Sequence, residues 1–203
     1  MIKAIVLDIG GVLIRTEDRS SRRKLENEFH LQEGYLDELI FNSQPAIEST
    51  IGKSNSEKIW LEAAKRLNLP LSKIPEFKQA FWAGDKLDHE LLEYIQSLRD
   101  NFKTAFLTNA WVNARQALMA QYGLQQEKSV DHIIISSEVG TAKPDPEIYK
   151  FLANAIECAF QEILFVDDFI ENIEAAESLG FKTIHYRPGI NLLNKIDSIL
   201  DHN

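Results

Sequence analysis

The segment Ala4-Ile5-Val6-Leu7-Asp8-Ile9-Gly10-Gly11-Val12 decides the fold. Its first four residues are apolar without alternation, too few for a helix, and stop at an acid. Such a run reads as a short strand buried on both faces, the kind that fills the middle of a parallel sheet. Four further runs have the same character. Thr104 to Leu107 ends at Thr108, Ile133 to Ile135 ends at Ser136, Ile163 to Val166 ends at Asp167, and Lys182 to Ile184 leads into His185 and Tyr186.

Between these runs the apolar spacing becomes helical. Leu91, Ile95 and Leu98 precede Asn101, and Ala114, Leu118 and Tyr122 precede Gly123, which is placed as a helix stop. Pro146 stands where a first helical turn begins, ahead of Ile148, Tyr149 and Leu152. Ile173, Ala176 and Leu179 run up to a second stop at Gly180. Strand and helix therefore alternate, which predicts a parallel sheet covered by helices. One segment breaks the rhythm. From about Thr16 to Asp85 there is no strand pattern, only helical stretches at Arg22 to Phe29, Leu36 to Phe41 and Ser56 to Leu67, with Ser54 and Glu57 as a capping box for the last. Pro70 and Pro75 punctuate the remainder of that segment. The expected organisation is a core of residues 1–15 and 86–203 with a helical insertion at 16–85.

Composition narrows the partners. Lys and Arg number 22 against 31 Asp and Glu, a formal charge of −9, which argues against nucleic acid or an anionic membrane as the main partner. An anionic substrate is compatible with that charge where a metal ion or a local cation supplies the positive field. Cys158 is the one cysteine. No intramolecular disulfide or multi-cysteine zinc site can form, a usage that fits a reducing, cytoplasmic setting. The apolar stretch around Cys158 predicts a buried structural thiol. No run approaches the ~20 apolar residues of a membrane span, and Ala4 to Leu7 is too short for a signal-peptide core.

In open parallel sheets, ligands bind in the crevice beyond the carboxyl ends of the strands. Asp8, Thr108 and Asp167 fall on that edge from three different runs, and Lys143 follows a fourth in a loop bounded by Gly140 and Pro144. Asp8, Asp167 and Asp168 brought together repel one another unless a cation binds, and Mg²⁺ favours oxygen ligands. With Lys143 it would neutralise phosphoryl oxygens, while Thr108 and backbone N–H groups supply directional hydrogen bonds. A carboxylate aimed at phosphorus can act as nucleophile, giving an acyl-phosphate that water later hydrolyses. Gly10-Gly11 is a backbone device for positive φ and close approach to an anion.

These residues also carry a resemblance. Asp8-Ile9-Gly10-Gly11-Val12 resembles the first motif of the haloacid dehalogenase (HAD) superfamily of hydrolases, which usually reads D-x-D-x-[T/V]. Thr108-Asn109 resembles the second motif, Lys143-Pro144-Asp145-Pro146 the third, and Asp167-Asp168 followed by Asn172 the fourth. The resemblance implies an α/β fold, a Rossmann-like doubly wound parallel sheet with a small inserted helical cap of the C1 type. It points to the branch of the bacterial glucose-1-phosphate phosphatase and the phosphatase domain of epoxide hydrolase. Carried over residue by residue, it makes Asp8 the nucleophile and a metal ligand, with the Gly10 carbonyl, Asp168 and, more indirectly, Asp167 completing the Mg²⁺ site. Thr108, Asn109, Gly11 and Lys143 hold the phosphoryl group, Lys143 also stabilises the nucleophile, and Asn172 orients the fourth-motif loop. The implied activity is Mg²⁺-dependent hydrolysis of a small phosphorylated metabolite.

One departure matters. Gly10 replaces the second aspartate of the motif, which protonates the leaving oxygen and then activates water. General acid–base help is worth roughly 10²–10⁴-fold, so slow turnover is expected. Two other readings compete: a metal-independent dehalogenase, against which the Asp167-Asp168 pair weighs, and a catalytically quiet phosphate-binding or interaction protein, supported by Gly10 alone. Taken singly, Thr108 and Lys143 read as a strand end and a solvated loop lysine, and the acid pair as a helix cap. The order of the motifs reverses that. Arg19, Arg22, Arg23 and Lys24 read as a solvated helix face. Trp60, Trp82 and Trp111 read as packing residues, with Trp111 close enough to Thr108-Asn109 to line the crevice. No histidine is assigned a role.

Overall fold

The computed structural model describes residues 1–201. The five apolar runs form β1 (Ala4–Leu7), β4 (Lys103–Thr108), β5 (His132–Ile135), β6 (Ile163–Asp167) and β7 (Lys182–His185). All pair in parallel, in the order β5-β4-β1-β6-β7. Side chains alternate across the sheet. Ile5, Leu7, Phe106, Leu164 and Val166 enter one apolar layer, and Ala4, Val6, Ala105, Leu107, Ile163 and Phe165 enter the other. Both layers are buried, which is why the sequence shows continuous apolar runs.

Helices close each face. Leu91 and Ile95 of α6 (His89–Ser97), Leu118 of α7 (Ala114–Tyr122) and Ile196 of α11 (Leu192–Asp201) cover the first layer. Ile148, Tyr149 and Leu152 of α9 (Pro146–Ala155) and Ile173 and Ala176 of α10 (Ile170–Ser178) cover the second. Pro146 opens α9, and Gly123, at φ +70°, caps α7 in the left-handed conformation that a side chain resists. The doubly wound sheet expected from the sequence is thus present. Its strand order reverses at β1, so a crevice opens above the carboxyl ends of β1 and its neighbours.

The inserted segment has its own apolar cluster. Helices α1 (Ser20–Glu28), α2 (Tyr35–Phe41), α3 (Gln44–Thr50), α4 (Glu57–Arg66) and α5 (Ile74–Trp82) pack around Leu25, Leu36, Ile40, Ile59, Trp60, Phe77 and Phe81. The sequence pattern marks neither α3 nor α5, the helices that contain Pro45 and Pro75. Both prolines sit in first turns, where proline's missing N–H costs nothing. Two three-residue strands, β2 (Ile14–Thr16) and β3 (Asp85–Leu87), pair antiparallel where the chain leaves and re-enters the core, so Thr16 faces Asp85 in a ribbon that the sequence does not signal. The four-residue α8 (Ser136–Val139) follows β5.

Three local expectations are corrected. Ser54 makes no capping bond; Asn55 Oδ1 accepts from the Glu57 N–H at 2.9 Å instead. Cys158 is half-buried rather than buried. Arg22 is not on a solvated face: it is 4% exposed, donating to the Phe81 carbonyl, Asp37 and Asp85, with its guanidinium 4.2 Å from the Phe81 ring centre. A charge run in the sequence does not reveal which member turns inward to a pair of carboxylates. Among the described residues, no helix is long and apolar enough to cross a membrane.

Candidate active site

The strand ends bring the predicted polar residues to one place. Asp8 follows the central strand, and its N–H continues the ladder to the Val166 carbonyl at 2.8 Å. Asp167 ends the neighbouring β6 on one side, and Thr108 ends β4 on the other. Asp8, Asp167 and Asp168 each offer an oxygen within 4.8 Å of the others.

Lys143 ties this cluster together from beneath. It is 4% exposed, and its Nζ donates to Asp167 Oδ2 at 2.7 Å and to the Leu107 carbonyl at 2.9 Å, and pairs with Asp8 Oδ1 at 3.0 Å. Burial disfavours the ammonium, but the Asp8 and Asp167 charges outweigh it and hold the Lys143 pKa above its ordinary value. Its position is set by Asn109, whose amide nitrogen donates to the Lys143 carbonyl at 2.7 Å and whose amide oxygen accepts from the Lys143 N–H at 2.9 Å. The Asn109 side chain, expected from the sequence to hold a phosphoryl group, is therefore engaged with the backbone of the lysine loop.

The acids differ in how fully they are engaged. Asp167 is completely buried, and Oδ1 accepts from the Phe169 N–H at 2.8 Å and from the Asn172 amide at 3.0 Å, while Oδ2 holds Lys143. Asn172 is in turn fixed by Tyr149, whose hydroxyl donates to the Asn172 carbonyl at 2.8 Å. Asp8 Oδ1 accepts from the Ile9 N–H at 2.6 Å as well as meeting Lys143, and Oδ2 takes no hydrogen bond among the described residues. Asp168 Oδ1 is buried with no partner. Burial pushes the Asp8 carboxyl up to about 7 against the pull of Lys143, with the Asp167 and Asp168 charges adding to the rise. Asp168 is raised by burial first and by Asp167 second. Three crowded acids and one lysine leave uncompensated negative charge in a dry place, an arrangement suited to a divalent cation.

The two glycines behave differently. Gly11 lies at φ +80°, and a Cβ built on it would stand 2.1 Å from Asp168 Oδ2, so the Asp168 carboxylate occupies the space that any side chain would need. Gly10 is exposed, and a Cβ there meets nothing within 4 Å.

The inserted helices reach the rim. Trp111, three residues after Thr108, sits with ring centres 5.6 Å from Phe41, 6.1 Å from Trp82 and 6.3 Å from Trp60. The Val112 N–H donates to Ser49 Oγ at 3.1 Å, and Gly52, at φ +75°, lies against the Ser137 carbonyl. Trp111 is thus a packing residue that joins the Thr108-Asn109 loop to the insertion. Sequence reasoning missed Tyr149 and His185, whose Nε2 lies 3.0 Å from the Asp168 carbonyl. Neither stands at a recognisable spacing from the acids, because each reaches them from a different element.

Comparisons with known proteins agree with this architecture. The chain is 27% identical to the D-ribitol-5-phosphate phosphatase of Bacteroides thetaiotaomicron over 214 residues, covering 99% of this chain and 100% of the relative. It is 30% identical over 135 residues to bifunctional epoxide hydrolase 2 of Rattus norvegicus, covering 65% of this chain. The chain spans only 24% to 39% of the length of the rat and pig epoxide hydrolases it matches. A HAD-family enzyme from Bacteroides thetaiotaomicron, solved in complex with magnesium and inorganic phosphate, superposes with a TM-score of 0.77 at 20% identity, covering 94% of this chain and 97% of the other. The family model for haloacid dehalogenase-like hydrolases matches residues 2–180. With the parallel sheet and the acids at its strand ends, that match makes the chain a member of the haloacid dehalogenase-like hydrolase family.

Proposed function

We propose that this chain is a Mg²⁺-dependent phosphatase that hydrolyses a small phosphate monoester through an aspartyl-phosphate on Asp8. The observation that carries the reading is the meeting of Asp8, Asp167 and Asp168 within 4.8 Å above a buried Lys143. Their donor set is all oxygen, as Mg²⁺ requires, and the partnerless Asp168 Oδ1 is the atom best placed to gain from a cation. Asp8, the Gly10 carbonyl and Asp168 would hold the ion, with Asp167 alongside, since both of its oxygens already serve Lys143, Asn172 and the backbone. When bound, Mg²⁺ supplies positive charge against the phosphoryl oxygens.

The remaining chemistry belongs to the chain. Lys143 pulls the Asp8 carboxyl toward its ionised form against the effect of burial and holds Oδ1, which leaves Oδ2 to attack phosphorus. The new bond from Asp8 to phosphorus forms as the ester bond to the alcohol breaks. Water then cleaves the acyl-phosphate, releasing phosphate and restoring the carboxylate. The Thr108 hydroxyl and the Asn109 N–H hold the phosphoryl oxygens, while the Asn109 amide contributes by fixing Lys143; the Gly11 N–H, expected from the sequence to share that task, instead donates to the Ile14 carbonyl at 2.9 Å. Gly10 offers no acid, so the departing alkoxide takes its proton from solvent and poor leaving groups react slowly. Residues 16–85 act as a cap that excludes water and selects the alcohol part of the substrate.

The D-ribitol-5-phosphate phosphatase and the phosphorylated carbohydrates phosphatase of Thermotoga maritima, to which the chain is similar, support a phosphorylated metabolite as substrate class. The neighbour with magnesium and phosphate supports the metal. The acid pair after β6 favours this reading over a metal-independent dehalogenase. A screen of sugar phosphates, nucleotides and p-nitrophenyl phosphate, with Mg²⁺ and with EDTA, tests it. Phosphate release should require Mg²⁺ and vanish in Asp8→Asn. Release that survives EDTA, or no release from any ester, overturns the proposal.

A further inference from the structure

The Asp168 carboxylate faces the proposed cation with almost nothing of its own to hold it. Its Oδ1 is buried without a partner, and its Oδ2 lies in the space beside Gly11 that a Cβ would take. A ligand whose side chain is unrestrained must be oriented through its backbone, because otherwise binding must also pay the entropy of ordering it. The backbone of Asp168 lies between the end of β6 and the start of α10, where one side chain reaches it: His185, the last residue of β7.

The register explains how. Asp167 pairs with His185 across the ladder, and the Tyr186 N–H donates to the Asp167 carbonyl at 2.8 Å, so β7 is anchored beside the acid pair. From there His185 Nε2 reaches the Asp168 carbonyl at 3.0 Å. A carbonyl only accepts, so Nε2 carries the proton. Arg187 Nη2 stands 3.3 Å from the other ring nitrogen, Nδ1, and an arginine only donates. Both partners therefore select the same Nε2–H tautomer, and the ring is held from two sides in the orientation that donates to Asp168.

We propose that His185 is a positioning residue for the metal site, fixing the main chain of Asp168 so that its free carboxylate oxygen is presented to the cation before the cation arrives. The proposal rests on the Mg²⁺ reading above. Partners one step outside a metal's ligands typically change affinity by about 10–100-fold. Acting through a carbonyl rather than on the carboxylate itself, His185 belongs at the lower end, about tenfold.

The test is Mg²⁺ binding by titration calorimetry on the wild-type protein, His185→Leu and His185→Gln, with circular dichroism and thermal unfolding on all three. Leucine keeps apolar bulk without a donor, and glutamine restores a donor at similar reach. Leucine should weaken the Kd for Mg²⁺ about tenfold, glutamine should recover most of the loss, and both variants should remain folded. Activity should follow the same order in the Mg²⁺ concentration needed for half-saturation, with kcat at saturating Mg²⁺ little changed, a split that a general loss of structure would not produce. Wild-type affinity in the leucine variant, or a glutamine variant as weak as leucine, overturns the role of His185. A wild-type protein that binds no Mg²⁺ overturns instead the reading on which the role rests.

Discussion

Gly10→Asp should turn a slow enzyme into a faster one, selectively for poor leaving groups. The backbone accepts the change: a Cβ at position 10 meets no atom within 4 Å, and the residue is exposed. Losing glycine's freedom in the unfolded chain contributes about 0.4–1 kcal/mol in favour of the fold. Against this stands a fourth carboxylate beside Asp8, Asp167 and Asp168, so the metal-free variant should lose some stability that Mg²⁺ restores. A general acid is worth roughly 10²–10⁴-fold. The surroundings of position 10 are not built to align one, so the expectation is the low end, about 10²-fold, or about 2.7 kcal/mol of barrier. The assay is kcat/KM for a sugar phosphate and for p-nitrophenyl phosphate at saturating Mg²⁺. Nitrophenolate leaves without protonation, so only the sugar phosphate should accelerate strongly. Equal changes on both esters, or no gain on the sugar phosphate in a well-folded variant, would refute the idea that the missing acid limits the rate.

Gly11→Ala should behave in the opposite way, since φ +80° costs a side chain about 1–2 kcal/mol and the new methyl displaces Asp168; chemical denaturation should report the first and a weaker Mg²⁺ titration the second, and an unchanged titration would contradict the contact. The Asp8 carboxyl, raised to about 7 by burial, should make the metal-free protein pH-sensitive in a defined direction. A folded-state pKa above the unfolded one gives stability that is complete below the unfolded pKa and lost as pH rises through about 7. The thermal shift produced by Mg²⁺ should therefore grow from about pH 5.5 to 8, and a shift independent of pH would count against the Asp8 site. Arg22→Leu removes the arginine from the buried Asp85, which keeps only the Thr16 hydroxyl among the hydrogen bonds described, and from Asp37, which keeps Arg19, and should cost about 3 kcal/mol, read as a lower urea midpoint; a loss below about 0.5 kcal/mol would place Arg22 among ordinary surface charges.

Much of the fold was legible in local runs. Ala4 to Leu7 and Ile163 to Val166 announced strands because a strand buried on both faces is apolar at nearly every position, and Gly123 and Pro146 announced helix ends because a left-handed cap favours glycine and a first turn tolerates proline. The insertion was less legible. Pro75 reads as punctuation until the helix it opens is seen, and strands of three residues such as β2 and β3 carry too little pattern to register. The ingredients of the candidate site were named from motif order, but their mutual arrangement was not. Asn109 and Lys143 stand 34 residues apart and exchange two hydrogen bonds, a pairing that no local spacing encodes.

The sequence alone therefore determined the kinds of atoms available at the strand ends and the order in which the chain delivers them. Both follow from hydrophobic periodicity and residue chemistry within a few positions. Only the tertiary structure decided which of those atoms are left for a ligand. Asp167 is consumed by Lys143 and Asn172, the Asn109 amide turns to the lysine backbone, Arg22 is drawn inside by Asp85 from 63 residues away, and His185 grips Asp168 from the next strand. The physical reason is that a polar group inside a protein must find its partner wherever the packing brings one, and that partner is set by the fold rather than by the neighbouring residues.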